Sequence, residues 1–425
     1  MSGTRRSRVA VVGSGVSGLT AAYLLQRQYD VTLYEQADRL GGHAHTHDLA
    51  MGGAAVAVDT GFIVHNRRTY PLLTKLFSEL GVQTRPSEMS MSVRCDGCGL
   101  EYAGARGIRG VFAQRSNAAR PRFLRLLAEI RRFHRAARTF LAEQPTGDEP
   151  TLGEFLRTHR FSSYAVNHFV LPLVATVWSS GTSDAMAYPA RYLFTFLDNH
   201  GMLSVSGSPQ WLTVAGGSRT YVERIAKEMH TVRTATPIRT VQRGADRVDV
   251  RTDGDEVDAY DQVVLATHAD RALRLLDDPS DIERAVLGSF ASTRNEGIVH
   301  TDTNLLPRAR GASASWNYVA DDCGAEHATN ARVTYDLTRL QHLRGDGARV
   351  LESFGLRGRV AESKILAEVT YEHPIFTPKS VAAQQRIPDL MTGRVLFAGA
   401  WQGWGFHEDG CASGVRAAAR LGVVW

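Results

Sequence analysis

The hydrophobic pattern opens with a short apolar run, Val9-Ala10-Val11-Val12, which stops at Gly13 and gives way to a helix-like stretch before a second run, Val31-Thr32-Leu33-Tyr34. Short apolar runs bounded by turn residues predict buried parallel strands, and the stretch between them predicts the crossover helix. Residues 261–268 form a third such run ending in Ala266-Thr267, and Val395-Leu396-Phe397 forms a fourth, ending in Gly399-Ala400. Residues 238–241, 247–252 and 257–260 alternate as an antiparallel sheet does, and 332–335 reads as a later strand. Apolar spacing predicts amphipathic helices over 70–80, 123–141 and 152–173, and a closing helix over 415–421.

The turn after the first strand gives this pattern a chemistry. Gly13 permits the tight turn, Gly15 lets a phosphate approach the backbone, and Gly18 lets the helix pack against the strand. The free amides at the helix start, around Val16 and Ser17, then face a diphosphate. Glu35, 22 residues after Gly13, closes the second strand where a carboxylate can bind both hydroxyls of an adenosine ribose, with Gln36 beside it. Arg39 and Gly41-Gly42-His43 follow at once, placed to form a second loop beneath a diphosphate that stays buried. They are similar to the glycine-arginine extension of FAD enzymes in the amine oxidase and phytoene desaturase superfamily, and favour FAD over NAD.

The far end of the chain points to the same cofactor. Small residues at Gly399-Ala400, and the segment from Gly405 through Phe406, His407, Glu408 and Asp409 to Ser413, let amides approach a flavin ring and its ribityl chain. A chain that returns to its first domain at its end predicts an α/β, Rossmann-like FAD-binding domain built from 1–65, 221–270 and 391–425. A mixed α+β substrate domain, 66–220 and 271–390, is inserted between these parts.

Taken together, Gly13 to Gly18, Asp38 to His43, Val58-Asp59-Thr60-Gly61-Phe62, Trp316-Asn317-Tyr318, Thr334 to Leu337, Gly399-Ala400-Trp401 and Phe406-His407-Glu408-Asp409-Gly410 resemble a bacterial family of FAD-binding, amine-oxidase-like proteins. Its genes commonly neighbour those for cyclopropane-fatty-acid synthases. The resemblance spans the chain, and it implies that Thr60, Gly61 and Phe62 reach the flavin edge. It also implies that backbone near Ile238 or Val241 meets the adenine, and that Ala266-Thr267 closes over the diphosphate.

Length and composition agree with two substantial domains: 425 residues, 43% hydrophobic and 22% charged. The four cysteines, Cys95, Cys98, Cys323 and Cys411, are too scattered for a disulfide framework, which makes a cytoplasmic setting the default. No stretch is long enough to span a bilayer. Cys95-Asp96-Gly97-Cys98 could hold a metal, but a structural zinc site needs two further ligands and no nearby His or Cys pair supplies them. It reads as a turn between two strands. His43, His45 and His47 alternate beside the diphosphate loop and read as flavin-side contacts or solvent-exposed groups, so no metal is expected.

Charge is uneven. Between Arg106 and Arg138 stand ten arginines with Glu129 as the sole acid, and Phe123, Leu126, Leu127, Ile130, Phe133, Ala137 and Leu141 share one helix face. Such a helix can rest at the inner face of an anionic membrane, engage an acidic acyl-carrier protein, or pack on the core with a solvated basic face. A net charge of +5 with no recognised motif argues against nucleic acid.

No hydrolytic triad or metal cluster competes with the flavin for the chemistry. Trp401, Trp404, Phe406 and His407 are the candidates for the flavin-facing pocket, His407 for hydrogen bonding or proton exchange, and Glu408 and Asp409 for ribityl contact or helix capping. Trp316, Asn317, Tyr318 and Tyr335 are candidates for the opposite wall, with His65 and Asn66 weaker ones. The favoured reading is an FAD-dependent oxidoreductase acting on a fatty-acyl or lipid-like substrate by desaturation, saturation or double-bond isomerisation. The alternatives are an amine oxidase and an FAD-stabilised structural protein without turnover. Two indoles flanking an open cavity favour the amine, an apolar tunnel beside Arg122, Arg125 and Arg132 favours the acyl chain, and a filled cavity favours the structural role.

Overall fold

The computed structural model describes residues 6–144, 149–178, 182–204, 207–324, 332–344 and 347–425. A five-stranded parallel sheet runs in the order Thr231–Arg233, Asp30–Tyr34, Arg8–Val12, Gln262–Leu265, Val395–Phe397. Val9, Ala10 and Val11 are fully buried because the sheet is covered, helix Val16–Leu25 and the antiparallel strand Val257–Tyr260 both packing on its strands, which is why the run is continuously apolar instead of alternating. The helices Val16–Leu25 and His407–Arg420, from opposite ends of the chain, pack together. Small residues let them approach: a Cβ on Gly414 would come 2.4 Å from the Ser17 carbonyl oxygen.

Three distant turns therefore gather at one edge. The carboxyl ends of Arg8–Val12, Gln262–Leu265 and Val395–Phe397 lead into Gly13, Ala266-Thr267 and Gly399-Ala400, side by side in a parallel sheet. Ligands of open α/β sheets bind outside this edge. The core of this sheet reaches further along the chain than its three expected parts. Ala272, Leu276, Val286, Leu287 and Phe290, and again Ala383, Ile387 and Leu390, pack into it, although 271–390 reads from sequence as substrate domain. Periodicity reveals that a helix has an apolar face, not which sheet receives it.

The second region is a seven-stranded sheet in the order Ile365–Ile375, Ala291–His300, Leu351–Phe354, Val333–Asp336, Trp316–Ala320, Met91–Cys95, Leu100–Tyr102. Helices Pro121–Ala142, Leu152–Thr158, Leu171–Trp178 and Ala190–Asn199 accompany it. The single helix expected over 152–173 is broken. Arg160 takes a left-handed backbone (φ 51°), and the Ser162 hydroxyl caps a new start by accepting from the Ala165 amide at 3.2 Å. The basic helix Pro121–Ala142 buries Phe123, Leu126, Phe133 and Ala137 and exposes Arg122, Arg125, Arg131, Arg132, Arg135 and Arg138. Its apolar face is thus committed to the core, and only the arginine face is available. No helix among the described residues is long and apolar enough to cross a membrane.

Candidate active site

The glycine turn is built as its spacing requires. Gly13 has φ +101°, and a Cβ there would stand 2.6 Å from the Ala266 carbonyl oxygen; at Gly18 it would stand 1.8 Å from that of Gly13. At Gly15 it would meet nothing within 4 Å, because that position faces the cavity. Gly42, at φ +57°, lies over Gly15, with 3.1 Å between its would-be Cβ and the Gly15 Cα. The two glycine loops form one cradle at the amino end of helix Val16–Leu25. Beside it, Arg39 carries a buried Nη1 with no protein partner.

Glu35 is fixed at the end of its strand. Its Oε2 accepts from the Ser14 amide at 2.9 Å and the Ser14 hydroxyl at 2.6 Å, and its Oε1 accepts from the Ala37 amide at 2.9 Å. A carboxylate oxygen accepts more than one hydrogen bond, so these contacts orient Glu35 for a ribose without exhausting it. Gln36, Thr236 and Ile238 line the cavity beside it.

From this cradle a cavity of about 750 Å³ runs toward the second sheet, within the size range of small-molecule sites. Thr60, Gly61, Phe62, Ala266, Thr267, Gly399 and Ala400 line its middle. Its far wall is aromatic: Trp178, Phe196, Trp211, Trp316, Tyr335, Trp404 and Phe406. Three polar groups of that wall are taken up by backbone carbonyls. The Trp404 indole donates to the Tyr192 carbonyl (3.2 Å), the Trp178 indole to the Trp404 carbonyl (3.2 Å), and the Tyr335 hydroxyl to the Thr176 carbonyl (3.0 Å). Trp401 also lines the cavity, but its ring lies against Phe290 and its indole donates to the Thr267 carbonyl at 3.2 Å. It ties together the turns that follow two neighbouring strands.

A histidine cluster faces the same space. His43 stacks on Tyr371 with centroids 5.0 Å apart and lies 5.4 Å from His373. Burial, then the nearby His373 and His268, hold its pKa well below the ordinary imidazole value. His373 is pushed down to about 4 by burial, and Asn295 Nδ2 lies 2.7 Å from its Nδ1. His407 stacks on Phe62 at 3.8 Å, and burial, then His65, lowers it to about 3. It is a neutral ring near pH 7, so proton exchange by His407 near neutrality does not fit this environment.

Several expected site residues lie elsewhere. Tyr318 is buried with Val93, Tyr102 and Phe123, two residues further along the strand than cavity-lining Trp316 and thus roughly 6–7 Å away. Asn317 points to the other face, where its Oδ1 accepts from the Ser92 hydroxyl and its Nδ2 donates to the Ala314 and Thr334 carbonyls. Glu408 accepts from the Leu72 and Leu73 amides, both at 2.9 Å, and so caps a different helix, Pro71–Glu79. Asp409 caps its own helix through the Phe406 amide (2.9 Å), its pKa raised to about 7 by burial. Ser413 clamps the helix to the last strand, accepting from the Gly399 amide and donating to the Gly410 carbonyl. Val241 is core, its carbonyl taken by the Asp277 amide. Gly18 and Gly41 shape the cradle from behind, Gly41 through its amide on the Ser14 carbonyl at 3.1 Å. His65 is buried among Phe62, Tyr70 and Phe77, and Asn66 caps a turn through the Arg68 and Thr69 amides. The His45 and His47 rings lie 3.9 Å apart, tilted by 37°, without joining a metal-ligand group among the described residues.

Sequence reasoning missed Thr176, Trp178, Phe196, Tyr371 and His373, which come from helices and a long strand with no motif of their own, and His268, in the turn just after Ala266-Thr267. The alternation of Tyr371 and His373 on Ile365–Ile375 was the available signal, since it places both on one face.

The residues present fit FAD. The open face of Gly15 at a helix start, an unpartnered buried guanidinium nitrogen, a fixed carboxylate at ribose distance along the motif, and a cavity continuing past His43 match diphosphate, adenosine and flavin in turn. AofH of Mycobacterium tuberculosis, a protein assigned as a flavin-containing monoamine oxidase, is 28% identical over 292 residues, 64% of this chain and 59% of that protein. The coproporphyrinogen III oxidase of Mycobacterium leprae is 26% identical over 288 residues, 63% of this chain and 60% of that one. The chain thus covers less than two thirds of either relative. Cyclohexylamine oxidase from Brevibacterium oxydans shares the fold at TM-score 0.72 and 16% identity, with 98% of each chain covered. A fatty acid isomerase from P. acnes that produces CLA shares it at 0.69 and 17%, covering 99% of this chain and 100% of that one. The family model for flavin containing amine oxidoreductases matches residues 16–422, and the chain belongs to that family.

Proposed function

We propose that this enzyme oxidises an apolar monoamine. The observation that carries this reading is the far half of the cavity: Trp404, Phe406, Trp178, Phe196, Trp316 and Tyr335 line it together, Phe406 stacked on Phe196 at 4.7 Å, and no free carboxylate joins them. The two carboxylates lining the cavity among the described residues are engaged, Glu35 by Ser14 and Ala37, and Glu372 by Arg271 at 2.6 Å. A diamine would leave its second ammonium unpaired in an apolar wall, which is unfavourable. A monoamine entering uncharged meets that wall with its hydrocarbon part and keeps its nitrogen at the polar middle.

Bound FAD supplies the redox chemistry by accepting a hydride equivalent from the carbon bearing the nitrogen. The chain contributes the rest. The aromatic wall excludes water and orients the substrate; the neutral His43 and His373 provide polar contacts that do not repel a cation; Trp401 holds the turns on which the cofactor rests.

The fatty-acyl reading keeps one favourable observation, the same apolar wall. Against it, no residue of 106–138 lines the cavity, so the basic helix does not mark its mouth. For the exposed face of Arg122, Arg125 and Arg132 we propose an anionic surface as partner, tested by salt-sensitive sedimentation with anionic vesicles.

Anaerobic titration of the holoenzyme decides the substrate class. Cyclohexylamine or benzylamine is expected to bleach the visible flavin band, and putrescine to do so at least tenfold less effectively. Turnover of a polyunsaturated fatty acid with no bleaching by any amine would overturn the proposal.

A further inference from the structure

The turn Asp96–Gly99 lies at the far end of the second sheet, and the fold brings to it the two ligands that its own sequence neighbourhood lacks. Cys95 ends the strand Met91–Cys95, Cys98 sits in the turn, Cys323 follows the adjacent strand Trp316–Ala320, and His168 arrives from the helical turn Val166–Val170. Their ligand atoms all lie within 4.8 Å of one another. Cys95 Sγ and Cys323 Sγ are 3.9 Å apart, and Cys98 Sγ and His168 Nε2 are 3.5 Å apart. Tetrahedral coordination at ordinary Zn–S and Zn–N lengths requires edges of about 3.8 Å between sulfurs and about 3.6 Å between sulfur and nitrogen. The observed pairs match both.

The surroundings are those of a ligand set. His168 Nδ1 donates to the Tyr164 carbonyl at 2.9 Å, which fixes the tautomer and leaves the Nε2 lone pair directed at the thiols. The ring is completely buried and stacks on Tyr164 at 4.0 Å, and the Tyr102 hydroxyl donates to the His168 carbonyl at 2.7 Å. Asn167 Nδ2 holds the Cys323 carbonyl at 2.7 Å. Gly97 is required for the approach: a Cβ there would come 2.8 Å from Asp322 Cα. Gly99, just after Cys98, takes φ +65°.

We propose that Cys95, Cys98, Cys323 and His168 form a structural Zn²⁺ site. A closed set of three thiolates and one imidazole leaves no open position for substrate, and binding releases the three thiol protons without redox change. The site pins the helical layer to the sheet. His168 leads into helix Leu171–Trp178, which carries Thr176 and Trp178 to the active-site wall, and the strand beside Cys323 carries Trp316 to the same wall at its other end. The metal would thus set the spacing of two walls of the cavity without touching its contents.

Elemental analysis of the holoenzyme, purified under reducing conditions without chelator, tests this. One zinc per chain is expected alongside one FAD. Protein stripped of metal and reloaded with Co²⁺ should show thiolate-to-cobalt charge transfer and the strong visible bands of a tetrahedral ion. Cys98→Ser and His168→Gln should each weaken zinc retention against a chelator tenfold or more; if either variant fails to fold, the native zinc content and the cobalt spectrum still decide. Zinc-free folded protein that takes up neither ion, or a disulfide among Cys95, Cys98 and Cys323 in the freshly isolated enzyme, would overturn the assignment.

Discussion

The Glu408 carboxylate, at the start of the last helix, accepts hydrogen bonds from the Leu72 and Leu73 amides at the start of another, both at 2.9 Å. One side chain thus closes the amino end of Pro71–Glu79, which has no cap of its own. Loss of such a cap costs about 1–2 kcal/mol. Glu408→Ala is expected to lower denaturant stability by that amount while leaving FAD affinity within twofold. A large loss of FAD affinity at unchanged stability would instead return Glu408 to the cofactor.

Gly15 and Gly18 should separate folding from cofactor binding. Gly15→Ala adds a methyl in open space at an ordinary backbone angle (φ −62°), so the apoprotein should fold normally while FAD binding weakens at least tenfold. Gly18→Ala drives a methyl into the Gly13 carbonyl and should prevent stable folding. Circular dichroism of the apoproteins with a flavin-fluorescence titration reads both outcomes.

Those glycines were legible because each obeys a local backbone constraint that spacing alone expresses. The acids after His407 were not. A carboxylate at a helix start can serve its own helix, as Asp409 does, another helix, as Glu408 does, or a ligand, and local sequence is the same in all three cases. The Cys95–Cys98 turn was visible, but its partners lie 70 residues from Cys98 at His168 and 228 residues from Cys95 at Cys323. Sheet pairing, Ala320 beside Cys95, brings in Cys323, and the packing of the helical turn Val166–Val170 brings in His168. The aromatic wall was half visible: Trp404 and Phe406 sit in a recognisable segment, whereas Trp178 and Phe196 look like any core residues of amphipathic helices.

Acid should destabilise the enzyme below pH 6.5. Burial lowers His65, His200, His300 and His373 to about 4 and holds His43 lower than its ordinary value, so the unfolded chain binds their protons first. The stability they contribute is full above 6.5 and is lost as pH falls through about 4. Asp59 and Asp409, raised to about 6 and about 7 by burial, act oppositely over part of this range, as do Asp336, Glu352 and Glu408, which burial also raises. Among the described residues the ten histidines held low, counting also His45, His47, His134, His268 and His407, outnumber these five acids. Unfolding midpoints should fall steadily from pH 6.5 to about 4. His300→Gln, outside the active site, should flatten that slope, because His300 Nδ1 accepts from the Asp302 amide only when neutral.

His407 is the sharpest test of the site's chemistry. Its ring lies on Phe62 at 3.8 Å, its Nε2 has no partner, and its pKa is lowered to about 3. A group that is neutral throughout the working range and stacked on an apolar ring can shape the cavity but cannot serve as an acid near pH 7. His407→Gln should therefore lower kcat by less than about tenfold and leave the pH profile of kcat/KM in place. Removal of a general acid or base typically costs 10²–10⁴ in rate and abolishes one limb of that profile. A fall of that size, with FAD occupancy unchanged, would show that substrate binding raises the imidazole pKa into the working range and would make His407 a proton-transfer group.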